Sequence, residues 1–304
     1  MKLLTFRRNE EVKLGCLVDD DVLDLNRAFE RHLGNAFADI ENSFHLDMLS
    51  LLDLGKTGLE EAKKAFKEAE ALKKERETKE LYKGDVLFKG DKVTIVAPIP
   101  RPRKNIVCLG LNYSEHVQEG RRARGEPPAP LPTDPIFFTK APTCVIGPND
   151  DIIYPRATTR LDYEVELAFV LGKKGKYIPR DNAYEHIVGY TVFNDICDRF
   201  YLLDVKPGQP DWLGMKAQDS FSVFGPCIET DVGDPHDLRM TLKVNGEIRQ
   251  DGRTSDMIFK TPDLVQATSP LVTLEPGDVI AAGTCAGNAM TWGGKWLKEG
   301  DVIE

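Results

Sequence analysis

Several things the sequence lacks narrow what it can do. No apolar run approaches the ~20 residues that a membrane-spanning helix needs. MKLLTFRRNEEVK is already charged at Arg7 and Arg8, which does not suit a signal peptide's apolar core. A cytoplasmic location is the expectation. Basic residues are not in excess; the net charge is −9, which argues against nucleic acid or an anionic membrane surface as the main partner. The six cysteines (Cys16, Cys108, Cys144, Cys197, Cys227 and Cys285) include no CxxC pair. A thiolate zinc site and a disulfide framework are therefore not expected, and buried free thiols are. Histidine is scarce, with five in the whole chain, and no internal repeat is visible.

What remains is an ordinary globular composition, 41% hydrophobic and 29% charged, in 304 residues. That length suffices for a sizeable core and for two domains. Residues 1–97 predict a small N-terminal α+β domain. MKLLTFRR, KLGCLV and VLDLN read as short strands, with a turn at VDDDV. AFERHLGNAFADI and HLDMLSLLDLG have helical spacing, the latter ending at a glycine suited to close a helix. LEEAKKAFKEAEALKKERETKEL reads as a solvated helix laced by ion pairs three to four residues apart. The prolines of VAPIPRPRK mark a boundary. Residues 98–304 alternate strand-like runs (NIVCLGLNY, PIFFTK, DIIYP, YEVELAFVLG, IVGYTVFND, MTLKVNGEIRQ, PGDVIAAGT) with a few helix candidates, RDNAYEHI and TPDLVQATSP. This predicts a β-rich mixed α/β fold with short peripheral helices. EGRRARGEPPAPLPTD, without periodicity, reads as a mobile loop or lid.

Within LDYEVELAFVLGK, the acids Asp162, Glu164 and Glu166 occupy alternate positions of a run that favours a half-buried strand, so they share one face beside Ala168 and Val170. Carboxylates lined up in this way repel unless a cation neutralises them. The plain alternative is a solvent-facing strand with an acidic side. Asp195, at the end of VGYTVFND, adds a further acid. If the two strands are neighbours, Glu164, Glu166 and Asp195 offer three oxygen ligands, a set that suits Mg²⁺ or Mn²⁺ better than Zn²⁺. In SEHVQEG, His116 and Glu119 stand three apart, so on a helix they share a face and can hydrogen-bond. A histidine oriented by a carboxylate can serve as a general base, although a surface pair would look the same.

Taken in order, GLNYSEHVQE, PIFFTKAP, LDYEVELAFVLGK, VFNDICDR, MKAQDSFSVFGP, LKVNGEIRQDGRTSDMIF and LEPGDVIAAGT resemble the fumarylacetoacetate hydrolase family over roughly residues 100–304. They look closest to its branch of acylpyruvases and 2-hydroxyhepta-2,4-diene-1,7-dioate isomerases. The resemblance implies rolled mixed β-sheets, a smaller N-terminal domain, one divalent cation per subunit and a homodimer. It implies that Glu164, Glu166 and Asp195 hold the metal and that His116, Glu119 and Lys216 are catalytic. Lys140, Arg199 and Thr284 would contact substrate. Lys216 and Arg199 could instead pair with Asp219 and Asp198, and Thr284 could be a turn residue. Asp162 matches no ligand and either supports the others from behind or lies at the surface. Two departures stand out. Leu202 occupies a place where acylpyruvate-cleaving members carry glutamine, and GTCAGNA replaces the usual GTPxGVG.

The activity implied is hydrolysis of a carbon–carbon bond in a β-diketo acid, a small-molecule substrate of the acylpyruvate or 2,4-diketo acid type. Decarboxylation of oxaloacetate, or keto–enol isomerisation of an unsaturated 2-oxo dicarboxylate, would use the same residues. A metal-stabilised protein without catalysis is the third reading.

Overall fold

The structure, a computed structural model, describes residues 1–33, 45–123, 125–205, 207, 209 and 211–304. The helix read from AFERHLGNAFADI is therefore followed only to Leu33, and its residues 34–40 lie outside the described residues.

Strands β1 (Lys2–Arg8), β2 (Glu11–Val18) and β3 (Asp21–Asp24) pair antiparallel in succession, with Asp19 turning the chain at φ +52°. Helices α1 (Leu25–Leu33), α2 (Met48–Asp53), α3 (Gly55–Lys74) and α4 (Lys79–Lys83) precede β4 (Leu87–Lys89) and β5 (Thr94–Val96). Asp47 caps α2 by accepting from Ser50 N at 2.7 Å. The long charged helix is less solvated than its composition suggests. Ala62, Ala65 and Ala69 form a buried stripe, and the helix stops at Lys74, just before Arg76 at φ +62°.

Beyond the proline-rich boundary come β6 (Ile106–Gly110), α5 (Ser114–Ala123), β7 (Ile136–Lys140), β8 (Val145–Ile146), β9 (Leu161–Asp162) and β10 (Val165–Leu171). They are followed by β11 (Ile187–Asp195), β12 (Cys197–Asp198), α6 (Trp212–Lys216), β13 (Ser222–Glu229), β14 (Arg239–Val244), β15 (Glu247–Arg253), α7 (Thr261–Thr268) and β16 (Val279–Thr284). The helix read at RDNAYEHI is a 3₁₀ turn over Arg180–His186. DIIYP is not a strand; Ile153 N donates to the Ser220 hydroxyl rather than to a neighbouring strand. The early part of EGRRARGEPPAPLPTD is the end of α5, and Gln118 and Arg121 donate to the carbonyls of Ala129 and Pro127.

Among the described residues, twelve strands make one mixed sheet in the order β4-β3-β2-β1-β13-β11-β10-β16-β6-β7, with β5 beside β1 and β8 beside β13. β14–β15 and β9–β12 are separate two-stranded ribbons. The fold is thus sheet-dominated mixed α/β with several short helices, as the sequence predicts. The segments on either side of residue 97 share the large sheet through β1–β13, where Leu3 pairs with Ile228. They also share a hydrophobic core that joins Leu3 and Met48 to Phe193 and Ala281.

β10 sits between two packing layers, the core shared by both segments and a second core built only from residues beyond 97. Val165, Leu167, Phe169 and Leu171 enter one core, and Ala168 and Val170 enter the other. The strand is therefore buried on both faces, not half-buried. Each fully buried Val, Leu or Phe contributes about 1.5–3 kcal/mol, which helps offset the cost of the carboxylates at its head. Five cysteines are buried and free, and Cys227 is half-buried and free.

Candidate active site

The site lies where β10 meets β11, β16 and the β9–β12 ribbon. Tyr163 and Glu164 fall between β9 and β10, outside either strand. Asp195 N donates to Glu164 O at 2.9 Å, and Glu164 N donates to the Asn194 side chain at 3.0 Å. These bonds dock the end of β11 against the start of β10. One carboxylate oxygen from each of Glu164, Glu166 and Asp195 lies within 4.8 Å of the others, and all three residues are buried. Glu164 and Glu166 thus turn inward together, and the solvent-facing alternative is excluded. The single strand face is broken, however, because Asp162 sits on the separate strand β9 and is not one of the three clustered acids.

Among the described residues, three buried cations meet these acids. Lys216 Nζ lies 2.6 Å from Glu164 Oε2 and 2.7 Å from Asp195 Oδ2. Lys140 Nζ donates to Asp195 Oδ1 and, at 3.0 Å, to Ile196 O. Arg199 donates from one terminal nitrogen to Glu164 Oε1 and from Nε to Asp162 Oδ2 at 2.9 Å. Neither Lys216 nor Arg199 pairs with Asp219 or Asp198; Asp198 accepts from Thr158, Phe200 N and Gln218 instead. Asp162 is fully buried, which rules out the surface reading.

Four carboxylates therefore face three cations, and the imbalance falls on Glu166. It is 2% exposed and forms no ion pair among the described residues; its Oε2 accepts from Gly283 N at 2.9 Å. Burial, and then the charges of Asp195 and Glu164, push its carboxyl well above the usual range. Glu164 goes the other way. Burial opposes its charge, but Lys216 and Arg199, with help from His116, bring it down to about 2. Burial likewise opposes the charge on Lys216, yet Asp195 and Glu164 hold it well above its ordinary value. A buried carboxylate without a cation, among hard oxygen donors, is the environment a divalent cation fits.

His116 and Glu119 lie on α5 and meet at 2.9 Å through Nδ1 and Oε1. Gly287 N reaches both oxygens of Glu119 at 3.0 Å. An ionised carboxylate only accepts, so Nδ1 carries the proton and Nε2 is the basic nitrogen. Nε2 has no hydrogen-bond partner among the described residues. The segment from Gly283 to Ala289 thus touches three acids, through Gly283 N on Glu166, Gly287 N on Glu119 and Ala289 N on Asp162. Gly287 has φ +105°, and a Cβ there would sit 2.2 Å from Arg249 O.

The Thr284 hydroxyl donates to Val165 O and accepts from Gln250 Nε2, both at 2.8 Å, so its hydrogen is committed within the chain. Sequence reasoning passed over Gln250, whose side chain also accepts from Val165 N at 2.9 Å. It passed over Asn112 as well, which ties β6 to Ala282 O and Phe259 O at 2.8 and 3.0 Å. Each is a fully buried amide, and only its place in GLNY or IRQDG could have drawn attention to it.

Residues 105–304 match the family model for the fumarylacetoacetate (FAA) hydrolase C-terminal region. The chain belongs to the fumarylacetoacetate hydrolase family. Oxaloacetate tautomerase YisK of Bacillus subtilis (strain 168) is 35% identical over 312 residues, covering 100% of this chain and 95% of the relative. The mitochondrial oxaloacetate tautomerase FAHD2A of Bos taurus is 40% identical over 215 residues, covering 70% of this chain and 65% of the relative. The chain thus spans slightly under two thirds of that relative's length in the match. A solved structure of maleylpyruvate hydrolase from Sphingobium sp. SYK-6, in complex with manganese (II) ion and pyruvate, superposes with a TM-score of 0.67 at 25% identity. It is covered to 93%, and this chain to 100%. Among the described residues no helix is long and apolar enough to cross a membrane.

Proposed function

We propose that the chain is a divalent-metal-dependent enzyme that moves a proton beside the carbonyl of a 2-oxo acid. Keto–enol tautomerisation of an oxaloacetate-type dicarboxylate is the reaction that fits best. The observation carrying this reading is one short segment, Gly283–Gly287, that binds both the cation-demanding Glu166 and the Glu119 that orients His116. Glu164, Glu166 and Asp195 are the residues that would hold Mg²⁺ or Mn²⁺, and a cation there supplies Lewis-acid polarisation of the substrate carbonyl. His116 Nε2 removes or returns the proton on the neighbouring carbon, while Glu119 keeps Nδ1 protonated and the ring in place. Lys216 lends positive charge where the enolate oxygen develops. Lys140 and Arg199 keep the acids apart and ordered. The tautomerase named in Bacillus subtilis, alike over the whole of this chain, supports this choice over the hydrolysis that the sequence first suggests.

Carbon–carbon hydrolysis of an acylpyruvate is the second reading, and likeness to the maleylpyruvate hydrolase favours it. Nε2 would then take its proton from water. Freshly dissolved enol-oxaloacetate, followed by its ultraviolet absorbance, distinguishes the two. The expected result is faster decay of the enol with protein and Mn²⁺, abolished by chelator. Pyruvate release from an acylpyruvate without enol turnover would replace the first reading by the second, and neither activity would remove both.

A further inference from the structure

We propose that Asp162 is a positioning residue which, acting through Arg199, sets the oxygen of Glu164 that faces the other metal-binding acids. The proposal rests on the metal reading above.

The geometry runs from fixed backbone to the site in a line. Asp162 Oδ1 accepts from Ala289 N at 2.6 Å and from Tyr163 N at 2.9 Å. Two main-chain donors on one oxygen fix the carboxylate's orientation and leave Oδ2 aimed at Arg199 Nε, 2.9 Å away. A guanidinium is a rigid planar fork, so holding Nε also fixes the terminal nitrogens. One of them takes Glu164 Oε1. The other oxygen, Oε2, is thereby turned to Lys216 Nζ, which it shares with Asp195 Oδ2. The β9–β12 ribbon, in which Asp162 pairs with Cys197, keeps Asp162 and Arg199 side by side. The relay also begins in the segment that holds Glu119, so one turn sets both the base and the metal ligand.

Asp162→Asn tests this. Its amide oxygen still accepts from Ala289 and Tyr163, but its N–H group is turned toward Arg199 Nε, which also donates. Loss of such a supporting partner weakens metal binding about 10–100-fold. The expected result is a Mn²⁺ Kd raised by that factor in calorimetry on folded protein. A purely structural role would lower Tm and leave the Kd of the folded protein unchanged. Arg199→Lys, which replaces the rigid planar fork by a compact ammonium without the fixed geometry that spans Asp162 and Glu164, should weaken Mn²⁺ similarly. The double variant should bind no worse than the weaker single variant, because both changes break the same relay. Wild-type protein that takes up no Mn²⁺ would overturn the metal reading itself. Wild-type binding with Asp162→Asn within about twofold of it, or Arg199→Lys equal to wild type, would overturn only the positioning role.

Discussion

Replacing Glu166 by glutamine should move two measurements in opposite directions. Glu166 is buried against Glu164 and Asp195, forms no ion pair among the described residues, and has a carboxyl driven upward by burial and by those two charges. In chelator-treated protein the ionised form is a net liability. Glutamine keeps the bond from Gly283 N and can donate an N–H to a neighbouring carboxylate, so the melting temperature in chelator should hold or rise. With metal the sign reverses. A ligand at 100 times its Kd adds about 2.7 kcal/mol to stability. At about 2 °C per kcal/mol, the low end for large domains, wild type should melt about 5 °C higher in such Mn²⁺ than in chelator. The variant, with one anionic donor gone, should show almost none of that shift at the same concentration. Differential scanning calorimetry in the two buffers reads both numbers. A variant that melts lower in chelator yet keeps the full Mn²⁺ shift would refute the reasoning, because Glu166 would then be a structural group and not a ligand.

His116→Ala and Glu119→Gln should each lower kcat for enol turnover about 10²–10⁴-fold, the usual worth of a positioned base. Stopped-flow absorbance checks this, and wild-type kcat in either variant would remove the dyad from the mechanism. Gly287→Ala places a Cβ 2.2 Å from Arg249 O at φ +105°, so it should cost more than ~1 kcal/mol of stability and misplace Glu119. An unchanged melting temperature together with unchanged activity would contradict that. His236 accepts from Thr261 N and faces the Thr261 hydroxyl at the start of α7, and burial, then Lys260, holds it below its ordinary value of 6.5. The unfolded chain therefore binds its proton first as pH falls, and stability should decline below about pH 6.5 and level off under the folded value. His236→Gln should flatten that slope in urea titrations, and an identical slope would exclude His236 as its source.

The parts of the site that follow local periodicity were legible. Alternation brought Glu164 and Glu166 together, though it wrongly kept Asp162 on the same strand, and a three-residue spacing put His116 and Glu119 in contact on one helix. Relations set by distant pairing were not legible. Nothing local says that β1 joins β13, or that β9 and β12 bring Asp162 to Arg199. Backbone roles were equally hidden. GTCAGNA stood out only as a departure from the commoner turn, whereas its contribution to Glu119 is the N–H of Gly287. The charged helix misled in a different way, since its ion pairs are conspicuous in sequence and its buried alanine stripe is not. DIIYP misled because apolar residues in an extended segment can be held by a side chain, here Ser220, and not by a sheet.

Glu164, Glu166 and Asp195 acting together on one hard dication is the claim on which the rest depends. Crystals grown with Mn²⁺ and measured at the manganese absorption edge test it most directly. The expected result is an anomalous peak bounded by these three carboxylates. A peak elsewhere, or none with the three acids ordered and Mn²⁺ in excess, would contradict it.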